Sequence, residues 1–193
     1  MDEGAADEGA ARVRLVPWHE GGLDLLRRAN APEMMLHLGG PESEERLQDR
    51  HLRYLRLGGT GGGRMFVVEE AASGGSAGTI GYWEREWRGG AVWETGWSTL
   101  PEFQGRGLAT AAALAVAAVA AEEGTHRFIH AFPSVENPAS NAICRKAGFT
   151  LLGVCDMEYP RGTPLRCHDW RLDLGPWGTG GTPLESHDGP GVG

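Results

Sequence analysis

The 193-residue chain holds only three cysteines, Cys144, Cys155 and Cys167, an odd number at spacings that fit no zinc pattern. That scarcity argues against a disulfide scaffold and for a reducing compartment, with Cys155 and Cys167 expected to face one another across a hairpin as packed thiols. Basic residues are also few, 18 Lys and Arg against 26 Asp and Glu, for a net charge of -8. Nucleic-acid binding rests on a basic surface, so nucleic acid is not an expected partner, whereas a cationic small substrate is compatible with this charge. No apolar run is long and bulky enough to span a bilayer, because the alanine-rich stretch is weakly hydrophobic and ends in Glu122 and Glu123. The opening MDEGAADEGA is acidic where a secretory signal is basic and then greasy. These absences predict a cytoplasmic protein with no membrane partner.

What is present is enough for a core: 40% hydrophobic residues and seven tryptophans. The length suits one domain, expected over 11–174, between an acidic tail at 1–10 and a Gly/Pro-rich tail at 175–193 that offer nothing to bury. RVRLVPW alternates like a strand, and GLDLLRRAN and PESEERLQDRHLRYLRL carry leucines at helical spacing. RMFVVEE, TIGYWEREW and AVWETGWSTL read as three strands joined by turn-rich segments. A helix from about 107 to 123 is stopped by Gly124; RFIHAF follows as a strand, NPASNAICRKAG as a helix, and TLLGVCDMEY with LRCHDWRLDL as a closing hairpin. There is no internal repeat. The order predicts an α/β fold of the mixed α+β kind, one mixed sheet flanked by helices.

In PEFQGRGLAT the chain passes from a strand end near Leu100 through Gly105 and Gly107 straight into the alanine helix. Such a turn leaves free backbone N–H groups and the positive end of the helix dipole facing whatever sits there, and glycine lets an anion approach. The underlying pattern is Gln or Arg, two residues, Gly, one residue, then Gly or Ala, met as Gln104, Gly107 and Ala109. In a chain of this composition about one match arises by chance, and Arg56, Gly59 and Gly61 in RLGGTG supply a second. That stretch follows a helix and leads into a strand, so it is expected to be only a loop. The loop at 104–109 has strand, tight turn and helix, the context of an anion site. It lacks the Lys-Ser/Thr ending of a nucleotide-binding loop.

About thirty residues on, Asn137 stands before Pro138 as a helix N-cap, and Gly148 and Phe149 close that helix and open a strand. The strand WETGWSTL, the loop PEFQGRGLAT and the segment from Asn137 through Ala139 and Ser140 to Phe149 resemble the GNAT superfamily of acyl-CoA N-acyltransferases over most of 12–174. RLVPWHEGG and NPAS are more similar to the branch with ribosomal-protein and aminoglycoside acetyltransferases. The resemblance implies a mostly antiparallel, splayed sheet, with acetyl-CoA as co-substrate and no metal. It implies a pyrophosphate on the amides of Gly105, Arg106, Gly107, Leu108, Ala109 and Thr110, with a further charged contact from Arg106. The pantetheine arm would run along Trp97, Ser98 and Thr99 like an added strand, facing Asn137. The acceptor would be a primary amine of a small molecule or peptide, acetylated in a ternary complex by a monomer or homodimer.

Amine acetylation needs a base, a donor for the thioester oxygen and, optionally, an acid for the leaving thiolate. Glu94 is the favoured base; alternation puts Glu94, Gly96 and Ser98 on one face of their strand and Trp93, Thr95 and Trp97 on the other. Glu84, Glu86 and Glu136 are alternatives, and the oxygen's donor is expected near Thr99. Where many relatives carry a tyrosine acid this chain has Cys144, with Ser140, Tyr82 and Tyr159 as substitutes. The missing tyrosine motivates a competing reading, a non-catalytic acyl-CoA-binding module. His126 and His130 are expected to share a strand face but have no third ligand nearby for a metal.

Overall fold

The computed structural model describes residues 12–159 and 161–175. The tails expected at 1–10 and, but for its first residue, at 175–193 lie outside the described residues. The order is β1 (Val13–Pro17), α1 (Gly22–Ala29), α2 (Glu44–Leu57), β2 (Gly63–Glu70), β3 (Ser76–Trp87), β4 (Gly90–Thr99), α3 (Leu108–Glu123), β5 (Phe128–Ala131), α4 (Pro138–Lys146), β6 (Thr150–Glu158) and β7 (Pro164–Asp173). Every expected strand and helix is present. One element was not foreseen, a 3-10 turn at Pro101–Phe103 between β4 and α3.

The strands form one seven-stranded sheet in the order β1-β2-β3-β4-β5-β7-β6. All neighbours are antiparallel except β4 and β5. The parallel pair needs a crossover, and the alanine helix supplies it. Because α3 is Ala111, Ala112, Ala113, Val116, Ala117 and Ala120 where it meets its neighbours, it lies close against one face, among Tyr82, Trp93 and Ile129. A helix apolar all round is a buried one. Each large side chain in this layer contributes about 1.5–3 kcal/mol by leaving water. Helices α1 and α2 cover the opposite face through Leu25, Leu26 and Leu47 against Met65 and Val67. Ser43 caps α2 by accepting from the Arg46 amide at 3.3 Å.

The sheet divides at its one parallel pair. Trp93 pairs with Ile129 and Glu94 with His130, and no further rung follows. Beyond Ala131 the chain stays with β7 instead: Pro133 O accepts from His168 N at 2.9 Å and Val135 N donates to Arg166 O at 3.0 Å. Proline at 133 has no N–H to offer β4. Thr95 to Thr99 therefore keep β3 on one side and lose β5 on the other, which opens a wedge.

Candidate active site

At the wide end of that wedge the chain turns through Gly105 and Gly107, both in the left-handed region at φ 74° and 78°. An L-residue there costs roughly 1–2 kcal/mol, which accounts for glycine at both positions. The first bond of α3 runs from Ala111 N to Gly107 O, and no side chain among the described residues caps the helix. Consequently the six amides from Gly105 to Thr110 have no hydrogen-bond partner among the described residues. Gln104 serves the turn itself, its Nε2 donating to Thr99 O at 2.9 Å. The Arg106 guanidinium points away, to Glu70 at 3.1 Å and to Glu102 O at 2.7 Å, and Arg106 does not line the cavity.

Along β4 the backbone direction follows from one bond. Leu100 N reaches Ala77 O on β3, and with Thr99 opposite Gly78 that makes the odd-numbered residues turn their N–H and C=O away from β3. Thr95, Trp97 and Thr99 thus face the wedge with their backbone, while Ser98 faces β3 and ties its hydroxyl to Thr79 at 2.8 Å. Across the gap Asn137 caps α4, Oδ1 accepting from Ser140 N at 3.0 Å. Asn141 pins that helix to β7: its Nδ2 donates to Ser134 O at 2.9 Å, and its Oδ1 accepts from Trp170 Nε1 at 2.8 Å and meets His168 Nδ1 at 2.7 Å.

Glu94 stands at the closed end, on the opposite face of β4 from Trp93 as alternation predicts; Trp93 packs with α3, so Glu94 is on the side of α1 and α2. Arg85, on the neighbouring strand, donates to Glu94 Oε2 at 2.6 Å and to Met157 Sδ at 3.6 Å. Its guanidinium also lies over the rings of Trp87 and Phe132. One carboxylate oxygen of Glu94 is therefore anchored, and a planar cation sits beside it. Behind this pair, buried Asp169 faces His130 Nδ1 at 2.7 Å and accepts from Trp87 Nε1 at 3.0 Å. Arg88 forms the ion pair with Asp169 at 3.1 Å. Burial lowers the proton affinity of His130 despite the Asp169 contact.

A cavity of about 760 Å³ joins these parts. Of the residues singled out from sequence, Glu94, Trp97, Ser98, Thr99, Gly105, Gly107, Leu108, Ala109, Thr110, Asn137 and Ser140 line it. Cys144 does not: it is fully buried in the α3 layer, and burial pushes its thiol up to about 12. Tyr82 is likewise removed, its hydroxyl donating to Glu123 at 2.5 Å at the far end of α3. Glu84 pairs with His126 at 2.9 Å, and Glu86 and Glu136 are exposed away from the cavity. Tyr159 does line it. The histidines do not share a face: β5 begins only at Phe128, so His126 precedes it and packs on Trp93, while His130 points to the Glu94 side. Among the described residues no group of three or more His, Cys, Asp or Glu side chains is placed to hold a metal. Cys155 and Cys167 are opposite partners in the hairpin, both free.

Sequence reasoning missed Arg85, Asn141 and Asp169. Arg85 sits in EREW, where alternating charge reads as a solvated strand, and the other two mark themselves only through partners far along the chain.

Residues 12–150 match the family model described as an acetyltransferase (GNAT) domain. The chain belongs to the GNAT acetyltransferase family. This makes it an acyltransferase, and the fold agrees with solved structures. A spermidine N-acetyltransferase from Vibrio cholerae, in complex with CoA and spermine, superposes with a TM-score of 0.69 at 19% identity, covering 86% of this chain and 98% of that one. An acetyltransferase of Salmonella typhimurium that modifies the N-terminal serine of a 50S ribosomal subunit protein gives 0.68 at 20% identity, with 84% and 95% covered. An acetyltransferase of Agrobacterium tumefaciens gives 0.68 at 21% identity, with 83% and 90% covered. No curated protein sequence matches this GNAT chain.

Proposed function

We propose that this GNAT enzyme transfers the acetyl group of acetyl-CoA directly to a primary amine within a ternary complex. The observation that carries the reading is the run of six amides from Gly105 to Thr110 at the head of α3, without a hydrogen-bond partner among the described residues and opening on the wedge beside β4. Those amides and the helix dipole suit the carrier's pyrophosphate. Arg106 contributes its amide there, its side chain being engaged by Glu70. The pantetheine arm pairs with the wedge-facing backbone of Trp97 and Thr99, between β4 and Asn137, as an added strand would.

This direction brings the thioester to the closed end of the wedge, next to Glu94. The donor for the developing oxyanion is then a wedge-facing amide near Thr95 rather than one near Thr99, because the last β4–β5 rung is at Glu94. Glu94 accepts a proton from the acceptor ammonium, directly or through one water, using the oxygen that Arg85 leaves free. The neutral amine attacks the carbonyl carbon, the C–S bond breaks, and the proton shed by the acylated nitrogen passes to the departing thiolate, directly or through the Ser140 hydroxyl on α4 or the Tyr159 phenol on the hairpin, both of which line the cavity.

Melting of the protein with and without acetyl-CoA tests the carrier site. A hundredfold excess over the dissociation constant is expected to stabilise by about 2.7 kcal/mol. Unchanged melting at millimolar acetyl-CoA overturns the reading.

A further inference from the structure

The acceptor half of the cavity identifies a class of amine, and this rests on the transfer reading above. From Glu94 the space opens toward α2, the 31–43 segment and the tip of the β6–β7 hairpin, and its walls there include Met34, Leu38, Tyr54, Trp83, Met157 and Tyr159. The Trp83 ring lies over Gly96, where a Cβ would come within 3.0 Å of its edge, so this ring floors the space immediately beside Glu94. Tyr54 is fixed edge-on to Trp18, ring centroids 5.3 Å apart at 87°. Burial raises the proton affinity of its phenol, which stays neutral.

The inner charges of the same region are paired. Both arginines that line it are engaged, Arg85 by Glu94 and Arg50 by Glu42. The unneutralised acids on the lining, Glu33 and Glu158, are exposed at the rim, and Glu158 already accepts from Gly162 N at 3.1 Å. A sugar amine would set many of its hydroxyls against the Met34, Met157 and Trp83 walls, a costly arrangement wherever Glu33, His37 and Glu158 do not reach them. A polyamine would bring its second and third ammonium groups past Glu94 into a space whose other inner charges are paired. An aromatic ring, by contrast, matches what the walls offer: offset or edge contacts to rings held in place, and thioether contacts at its edge.

We propose that the acceptor is an arylalkylamine, its amino group at Glu94 and its ring on Trp83 between Tyr54 and Tyr159. Thiol release from acetyl-CoA on 2-phenylethylamine, propylamine, spermidine, kanamycin and a serine-led peptide tests this. The expected result is a kcat/KM for 2-phenylethylamine about tenfold or more above each of the others. Trp83→Ala is expected to erase its advantage over propylamine, and Trp83→Phe to restore most of it; the acetyl-CoA melting shift reports that each variant is folded. Preference for spermidine, kanamycin or the peptide overturns the inference and leaves the transfer reading standing. Should no amine release thiol, calorimetric titration of 2-phenylethylamine into the CoA-saturated protein decides: binding weakened by Trp83→Ala supports the assignment, and absence of binding overturns it. Loss of the acetyl-CoA melting shift in the unaltered protein is the separate result that sinks the transfer reading.

Discussion

Arg56, Gly59 and Gly61 repeat the spacing of Gln104, Gly107 and Ala109, yet the chain enters and leaves the two segments in opposite ways. The first follows the C-terminal end of α2. Its first amides turn back on the carbonyls that a helix end exposes, Gly59 N on Arg56 O at 3.1 Å and Thr60 N on Leu57 O at 3.3 Å. The second precedes the N-terminal end of α3, where the orphan groups are donors and nothing in the described chain accepts from them. Equal patterns thus present opposite chemistry, one the negative and one the positive end of a helix dipole. Position relative to the helix decides, and glycine only permits.

The sharpest way to divide carrier binding from chemistry at the second loop is Glu94→Gln, which is expected to lower kcat by about 10²–10⁴-fold while the melting shift with acetyl-CoA persists. If the shift disappears as well, Glu94 is supporting the wedge rather than acting on the amine. The comparison itself breaks if Gly107→Val and Gly59→Val behave alike. Gly107→Val is expected to abolish the roughly 2.7 kcal/mol stabilisation by a hundredfold excess of acetyl-CoA, because a branched side chain at φ 78° disturbs the turn and obstructs its amides. Gly59→Val leaves that stabilisation intact, a Cβ there meeting nothing closer than Arg56 O at 3.8 Å. A smaller effect separates backbone from side chain within the favoured loop. Arg106→Ala is expected to change the acetyl-CoA dissociation constant by less than about fivefold, since its exposed guanidinium is spent on Glu70; a larger loss measured by calorimetry would give that side chain a direct contact.

The smallest effect concerns the rung that ends the wedge. His130 is held neutral by burial, so below its ordinary pKa of about 6.5 the unfolded chain binds more protons than the folded one. Stability is fully present above that pH and declines as pH falls through the window beneath it. In melting curves between pH 7.5 and pH 5, in buffers chosen by about half-unit steps, His130→Gln is expected to remove part of that decline. An unchanged slope would assign the acid sensitivity to other groups.

Legibility in the sequence followed the range of the interactions. The two glycine-closed helices, the alternating strands and the Asn137 cap were readable because each is fixed by neighbours within a few residues, and all have the expected boundaries to within a few positions. His126 and His130 do not share a face because β5 begins only at Phe128, which leaves His126 outside the strand's alternation. Cys144 stands at the motif position of the relatives' acid, but motif position says only where a residue lies along a helix; packing turns its side chain into the α3 layer, as expected of a buried, inert cysteine. Arg85 is not legible as a partner of Glu94, since the hairpin register that makes them diagonal neighbours, with Trp83 opposite Glu94 and Val92 opposite Arg85, is a property of two strands together.

Local chemistry alone determined the helix starts and stops, the strand alternation and the glycine turn that leaves donors exposed, because caps, pleats and left-handed φ values are settled by adjacent residues. The tertiary structure alone decided that β5 abandons β4 after Glu94 to stay with β7, that Arg85 reaches Glu94, and that Trp83 floors the space beside it. Those outcomes depend on which distant strands share a sheet and in what register, and how far a short strand keeps pace with β4 on one edge and β7 on the other cannot be read from any one of the three separately.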